Sequence, residues 1–444
     1  MILRENPIMD ESEFRRLLHL GLGRAILYAR EHDVRTFRSL IFDACINCYA
    51  IDPQSEGTRA DFMLDLVNTL PDGDFYRDGV LNSLSNHGDD WHAKQRFRFA
   101  ARLAEDGDKR AKRLMYESFL PGPSKEEAIA IDFLNLDGTA GFLFAVEKLG
   151  KLLLDKPRNL DLGWLMSVAT ESLGEQEVWN SLREEAARNP YIRAYASAVE
   201  TSEARVHRAV NSSWLASATY DQLKPKLPLK LRMYLRKWGE KATEDDLLKA
   251  AHGLQTAIEA DMQLSHLAIF WKRRFPLDFG ILFELARSSN ERIQWAALKA
   301  ITQITDPAVR NLAFELVRTH AKWRGFAIAF LSQNFQPGDH DVVLRLFEAE
   351  EDMETLHSEG QSLRDFWKEH PSEKSLTRML CSLYEREPCS SCRERAVELL
   401  LERNALSEKM REECLWDANQ EIRDLVDIKE EKAELSRRRD GDEQ

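Results

Sequence analysis

The sequence contains few of the residues that build tight turns and disulfide frameworks. It holds 20 Gly, 14 Pro and 6 Cys among 444 residues. A large β protein usually needs more turn residues than this, so the composition argues against that class. Cysteines this sparse are better explained as reduced thiols in a cytoplasmic protein than as a disulfide framework.

The sequence also lacks an excess of positive charge, a signal segment and a long apolar run. Its net charge is −13. That balance argues against a surface that wraps nucleic acid, although it leaves room for a local basic patch. The first residues hold no apolar core of a secretory signal, and no apolar run approaches the roughly 20 residues that span a bilayer. We therefore expect neither a signal peptide nor a membrane span.

Compact catalytic motifs are missing as well. The sequence contains no nucleophile elbow, no phosphate-binding glycine-rich loop and no His-Glu-x-x-His. Gly21-Leu22-Gly23 lies inside a helical pattern without a preceding strand, so it does not fit a phosphate loop. We expect no enzymatic activity and no cofactor.

What the sequence does contain is helical periodicity. Apolar residues make up 43% of the chain and charged residues 31%, which is typical of a folded, well-solvated protein. The clearest window is 290–304, where apolar side chains recur at i, i+3, i+4 and i+7. Asp306-Pro307 then offers an N-cap followed by Pro at the first helical position. Two amphipathic helices joined by a short corner are therefore predicted there.

The same arrangement of paired helices recurs along the chain. Each pair is split by a short corner, which is expected between antiparallel neighbours. A chain of this length is too long for one compact core, so several domains or one extended array are required. The predicted pairs are 96–104 with 109–119, 125–134 with 141–154, 161–173 with 175–188, and 392–404 with 408–416.

Two stretches resemble HEAT repeats, whose second helix opens on Asp-Pro-x-Val-Arg or a related pattern. They are Asp306-Pro307-Ala308-Val309-Arg310 and Asp417-Ala418-Asn419-Gln420-Glu421-Ile422-Arg423. The resemblance is good over about 280–426 and weaker over about 55–200. It implies an all-α fold, an α-α superhelix of stacked antiparallel helix pairs, and a concave face as the usual binding surface. HEAT motifs indicate a shape and not an activity.

Four segments are predicted from the changes in pattern along the chain. Residues 1–215 form an N-terminal helical-repeat segment, and residues 216–250 form a basic junction that Pro225 and Pro228 interrupt. Residues 251–426 form the C-terminal HEAT-like segment. Residues 427–444 form a charged tail.

The strongest lead towards a partner is a set of basic residues interleaved with aromatic ones between 224 and 274. Such a pattern suits an acidic protein segment or a phosphate backbone with stacked bases. The alternative is a solvated helix face that acidic neighbours such as Glu244-Asp245-Asp246 offset. The candidate partner-binding residues are Lys224, Lys226, Lys230, Arg232, Arg236, Lys237, Trp238, Lys272, Arg273 and Arg274.

The cysteines offer a second lead. Cys389-Ser390-Ser391-Cys392 follows Pro388 and precedes an apolar helix, so it is predicted at a helix N-terminus, where a thiolate is favoured. Together with Cys381 and Cys414 the pair could surround one zinc ion. Against this, redox pairs of this spacing normally belong to a βαβ unit, and single cysteines are unusual zinc ligands. An inert, structural role is therefore favoured for all four.

These observations favour a non-enzymatic scaffold or adaptor that binds a partner protein through the concave face of a solenoid. One alternative is a nucleic-acid-binding repeat protein that uses the segment 224–274. Another is a zinc- or thiol-dependent regulatory protein that uses the four cysteines named above.

Overall fold

The computed structural model describes residues 9–86, 90–119, 126–155, 163–210, 218–228, 232–319 and 323–427. Every regular element in these ranges is a helix. The prediction of an all-α fold is therefore confirmed. The charged tail, 427–444, lies outside the described residues except for its first residue.

The helices group into two compact units. Residues 1–207 and 387–444 form the first unit, and residues 208–386 form the second. Residues 387–426 were predicted to belong to the C-terminal segment, but they group with the N-terminal helices in the first unit. The remaining predicted boundaries, including the junction at 216–250, stay predictions.

The first unit contains helices from both ends of the chain. Its N-terminal helices are α1 (Glu11–Leu20), α2 (Arg24–Glu31), α3 (Arg38–Ile46), α4 (Pro53–Glu56), α5 (Ala60–Asn68), α6 (Gly73–Asn82), α7 (Asp90–Glu105), α8 (Lys109–Ser118), α9 (Glu126–Asp155), α10 (Gly163–Leu173), α11 (Glu175–Arg188) and α12 (Pro190–Val210).

The second unit follows, and the chain then returns to the first. The helices of the second unit are α13 (Tyr220–Leu223), α14 (Arg232–Lys241), α15 (Glu244–Thr256), α16 (Ala260–Ile269), α17 (Gly280–Leu285), α18 (Glu291–Ile301), α19 (Pro307–Thr319), α20 (Arg324–Gln333), α21 (Asp339–Glu348), α22 (Met353–Glu369) and α23 (Glu373–Arg386). The returning helices are α24 (Ser390–Glu402), α25 (Glu408–Cys414) and α26 (420–427).

Specific contacts join the two ends of the chain within the first unit. Arg24 on α2 forms a two-pronged ion pair at 2.8 Å with Glu413 on α25, whose side chain is 1% exposed. The backbone N–H of Ala418 donates to the carbonyl of Gly21 at 2.9 Å. The Arg24–Glu413 pair is charge-assisted and therefore stronger than a neutral hydrogen bond, so it holds α25 on α2.

In the second unit, alternate helices pack side by side. Helix α14 contacts α16, α16 contacts α18, α18 contacts α20 and α20 contacts α22, which gives one row. Helices α15, α17, α19 and α21 each pack against a member of that row. Apolar stripes explain this packing, because each helix buries its stripe only against its neighbours. In α18, for example, Ile293, Ala297 and Ile301 are buried.

The predicted helices are present where the structure describes them, with 125–134 and 141–154 lying within α9 on either side of the non-helical Gly138. Helix α18 begins after Asn290, whose side chain accepts hydrogen bonds from the N–H groups of Arg292 and Ile293. Helix α19 begins at Pro307, and the Asp306 carboxylate accepts from the next free N–H. Local sequence therefore determines where these helices begin.

One helix is an exception to the expectation that no apolar run approaches the length needed to span a bilayer. The stretch Ile129–Asp155 is long and apolar enough to cross a membrane by length and composition. Its backbone leaves the helical conformation at Gly138, and half of its apolar window is buried within the protein. Phe142, Val146 and Leu149 lie in the core of the first unit, and this burial accounts for the apolar composition.

Candidate functional site

A row of aromatic rings crosses the helix row of the second unit. Trp271 follows α16, and its ring lies 5.1 Å from that of Trp295 on α18, nearly at a right angle. Phe326 on α20 lies 6.5 Å from Trp295 and 6.2 Å from Trp323. Edge-to-face contacts at these distances stabilise such a row. The Trp295 side chain nevertheless keeps 39% of its surface exposed.

Three of these rings, those of Trp295, Trp323 and Phe326, line a groove of about 680 Å³, which we name the tryptophan groove. A smaller hollow of about 270 Å³ adjoins it and shares Trp295 and Trp323. Partly exposed aromatic rings with hydroxyl and charged groups at the edge are typical of interface centres. The groove is lined by Trp295, Lys299, Thr302, Trp323, Gly325, Phe326, Ala329, Glu350, Asp352, Glu354, Thr355, Ser358 and Ser362.

Positive charge gathers around Lys299, one turn after Trp295 on α18. Burial lowers the pKa of Lys299, and the charges of Lys272 and Arg236 lower it further, whereas Asp365 raises it. The indole N–H of Trp271, which lines the adjoining hollow, is buried and has no hydrogen-bond partner among the described residues. This end of the groove therefore offers a cation, which a bound anion would satisfy.

Acidic and hydroxyl groups lie at the other end of the groove, around α22. Asp352 caps this helix by accepting from the N–H and hydroxyl of Thr355, and these bonds lower its pKa. Glu350 forms an ion pair with Arg324 at 3.2 Å. Glu354 is exposed in the groove lining. A cationic group would be favoured here.

A buried carboxyl group lies behind this acidic end. Glu359 is fully buried, and neither of its side-chain oxygens has a hydrogen-bond partner among the described residues. Its Cγ comes within 3.6 Å of the position that a Cβ on Gly325 would occupy, and Gly325 lines the groove. Burial and the charge of Glu350 raise the pKa of Glu359 to about 8.

The predicted basic residues divide into those near the groove and those paired elsewhere. Arg232 lines the adjoining hollow and pairs with Asp261 at 3.3 Å. Arg236 and Lys272 act on Lys299 through their charge. Arg273 instead pairs with Glu244 and donates to two backbone carbonyls. Acidic residues thus neutralise some of the basic residues between 224 and 274, as the alternative of a solvated helix face predicts.

The other predicted partner-binding residues do not share one place. Trp238 is 3% exposed, and its indole N–H donates to the Ala218 carbonyl, so it belongs to the core of the second unit. Lys230 lies outside the described residues. The remaining side chains are exposed, and none is placed in the lining of the groove: Lys224, Lys226, Lys237 and Arg274.

The cysteine pair lies where the sequence predicts it. Cys389 is the N-cap of α24, and its Sγ lies within 4.8 Å of that of Cys392. A hydrogen bond to the Cys392 thiol and burial both raise the pKa of Cys389, which disfavours a reactive thiolate. Cys414 is buried at the end of α25, and Cys381 is half-buried in the second unit. The zinc and redox alternatives stay predictions.

Most residues of the groove were not among the candidates predicted from the sequence. Lys299, Trp295, Phe326 and Ser358 lie on three helices, and only folding brings them together. One local signal was available: Trp295 and Lys299 are four residues apart, so they share a face of the predicted helix. That face is not the apolar stripe, which marks both residues as candidates for a surface.

Comparison with known protein families, with curated proteins and with solved structures gives no match. The chemistry of the tryptophan groove is therefore the basis for assigning a function.

Proposed function

We propose that this protein is a non-enzymatic interaction protein, a scaffold or adaptor, that binds a peptide segment of a partner protein in the tryptophan groove. The observation that carries the proposal is the row of partly exposed rings in a groove of about 680 Å³. Trp residues at a desolvated centre contribute a large share of the binding energy in protein interfaces. A groove of this size accommodates a few side chains of a peptide and not a whole folded domain.

The packing of the second unit supports a finer proposal about the fold. Contacts between successive alternate helices, with the intervening helices packed on one member each, fit a HEAT-like solenoid of helix pairs. In such an array one helix of each pair contributes to a common surface. The groove lining comes from α18, α20, α22 and the turns before α20 and α22, and all three helices belong to one row.

Peptide binding is favoured over nucleic-acid binding. Arg232, Arg236 and Arg273 each form an ion pair with an acidic residue, which reduces the charge available to a phosphate backbone. The groove also carries carboxylates at one end, which would repel a polyanion along its length. A peptide can present different groups to the two ends.

The test begins with selection from a random peptide library displayed on phage, with the full-length protein as bait. Enriched peptides are then synthesised and titrated by fluorescence anisotropy. Trp295→Ala removes the central ring, and Ser358→Arg places a long side chain in the groove from an exposed position of α22. We expect each variant to weaken binding by about tenfold or more, as is usual at interface centres.

Two matched variants serve as controls. Trp164→Ala removes a Trp that is 50% exposed in the first unit, and Gln361→Arg adds the same charge to an exposed position of α22 outside the groove lining. Both should bind as the wild type does, and circular dichroism checks that all four variants are folded. A library that yields no binder, or binders indifferent to both groove variants, would contradict the proposal.

A further inference from the structure

The two ends of the tryptophan groove carry opposite charges. At one end Lys299 lies half-buried, under the influence of Lys272 and Arg236. Trp271, whose ring contacts that of Trp295, lines the adjoining hollow and not the groove itself. An anionic group is therefore favoured beside Lys299, because Asp365 offsets these positive charges only in part.

The opposite end presents carboxylates. Asp352 and Glu354 line the groove together with Glu350, and the hydroxyls of Thr355, Ser358 and Ser362 lie among them. Glu359, fully buried and unpartnered, stands directly behind Gly325 at this end. Arg324 pairs with Glu350, so the surplus of acidic groups falls on Asp352 and Glu354.

The rings of Phe326 and Trp323, on and just before α20, belong to the helix that packs between α18 and α22. Within the groove, successive ring centroids from Trp295 through Phe326 to Trp323 are 6.5 and 6.2 Å apart. These steps set an upper limit on the length of the row. An extended peptide advances about 3.3 Å per residue, so the row covers at most about four residues.

We infer that the segment bound in the tryptophan groove carries both signs of charge, with an acidic residue at the Lys299 end, a basic residue at the Glu354 end, and apolar residues over the rings between them. The inference rests on the proposed peptide binding and specifies its ligand. The two charged residues are about two to four positions apart, because the aromatic row is short. Opposite charges at the two ends also fix the direction in which the peptide lies.

The experiment repeats the library selection with two charge-reversal variants. Lys299→Glu changes the basic end, and Glu354→Lys changes the acidic end without removing the Asp352 cap of α22. Lys237→Glu and Glu351→Lys make the same charge changes at exposed positions outside the groove lining. We expect the wild type and both controls to enrich an acidic and a basic residue flanking apolar ones.

Each groove variant should lose the preference at one position only. Against Lys299→Glu the acidic position should become neutral or basic, and a synthetic peptide with that residue changed to Lys should bind this variant about tenfold better than the original peptide does. The reciprocal swap should hold for Glu354→Lys. Circular dichroism confirms that each variant is folded.

Three results would overturn the inference. The first is enrichment of apolar peptides with no charge pattern, which would leave the proposed function intact. The second is a pattern unchanged by both reversals. The third is salt-sensitive binding of a single-stranded oligonucleotide in the groove, lost in Lys299→Glu, with no peptide enriched; this outcome would remove the proposed function as well.

Discussion

Glu359 is the most perturbed acidic side chain that the structure describes beside the groove. It is fully buried with both oxygens unpartnered. Burial and the neighbouring Glu350 raise its pKa to about 8, and Arg324 and Arg386 offset this only in part. The carboxyl group is therefore mostly protonated at neutral pH. A neutral acid here avoids the cost of an unpaired charge in the core.

This carboxyl group makes stability depend on pH in a definite direction. Between its ordinary pKa of 4.5 and about 8, the folded state holds a proton that the unfolded state releases. The free energy of unfolding therefore falls as pH rises through that window, by about 1.4 kcal/mol for each unit of pKa difference. Glu359→Gln removes this titration, so the variant should melt higher than the wild type at about pH 9 and near it at about pH 5.

Differential scanning fluorimetry across that pH range measures the effect. Glu354→Gln provides the same chemical change at an exposed position of the same helix. The difference in melting temperature between this control and the wild type should not rise between about pH 5 and about pH 9 in the same way. A gap between Glu359→Gln and the wild type that is constant with pH would show that the side chain does not titrate in this window.

At the scale of elements, Gly21 and Gly23 bring α25 and the chain before α26 against the start of α2. Gly21 has a φ of +68° and ends α1, and a Cβ there would meet the Ala418 side chain at 2.5 Å. A Cβ on Gly23 would stand 2.0 Å from the Glu413 carbonyl oxygen. No real Cβ tolerates a backbone atom at that distance, so Gly23 determines how closely α25 approaches α2.

Gly23→Ala should therefore destabilise the first unit by about 1–3 kcal/mol, the usual cost of overpacking a close contact. Thermal unfolding followed by circular dichroism measures the loss. Gly325→Ala is the matched control, because a Cβ there meets only Ser358 and Glu359 atoms at 3.5 and 3.6 Å. The control should be neutral or slightly stabilising, as Ala is in a helix. Equal melting temperatures for Gly23→Ala and the wild type would contradict the close packing.

The elements were predictable from sequence because their signals are local. Asn290 and Pro307 determine the starts of α18 and α19, and the period of apolar residues determines which face each helix buries. The return of residues 387–427 to the first unit was not predictable, because the pairing of Arg24 with Glu413 spans 389 residues. Nothing in the sequence around Arg24 or around Glu413 shows that these two residues pair.

The candidate site shows the same difference between local signals, which the sequence reveals, and long-range contacts, which it does not. The basic residues between 224 and 274 were recognised from composition, and Arg232, Arg236 and Lys272 do belong to the groove or its surroundings. Trp238 was grouped with them because a Trp among basic residues suits a binding surface, yet folding buries it. Lys299 and the acidic end lie further along the chain and join the site only through the packing of alternate helices.

For the whole molecule, the proposed groove places binding in the second unit. Hydrogen–deuterium exchange of the full-length protein, with and without a peptide enriched in the library selection, tests it most directly. Slower exchange is expected in 291–302, 323–333 and 350–363, which contain the groove lining. Exchange should be unchanged in the first unit and in α19, which contributes no lining residue. Protection confined to the first unit, or absent from these three segments at saturating peptide, would contradict the account.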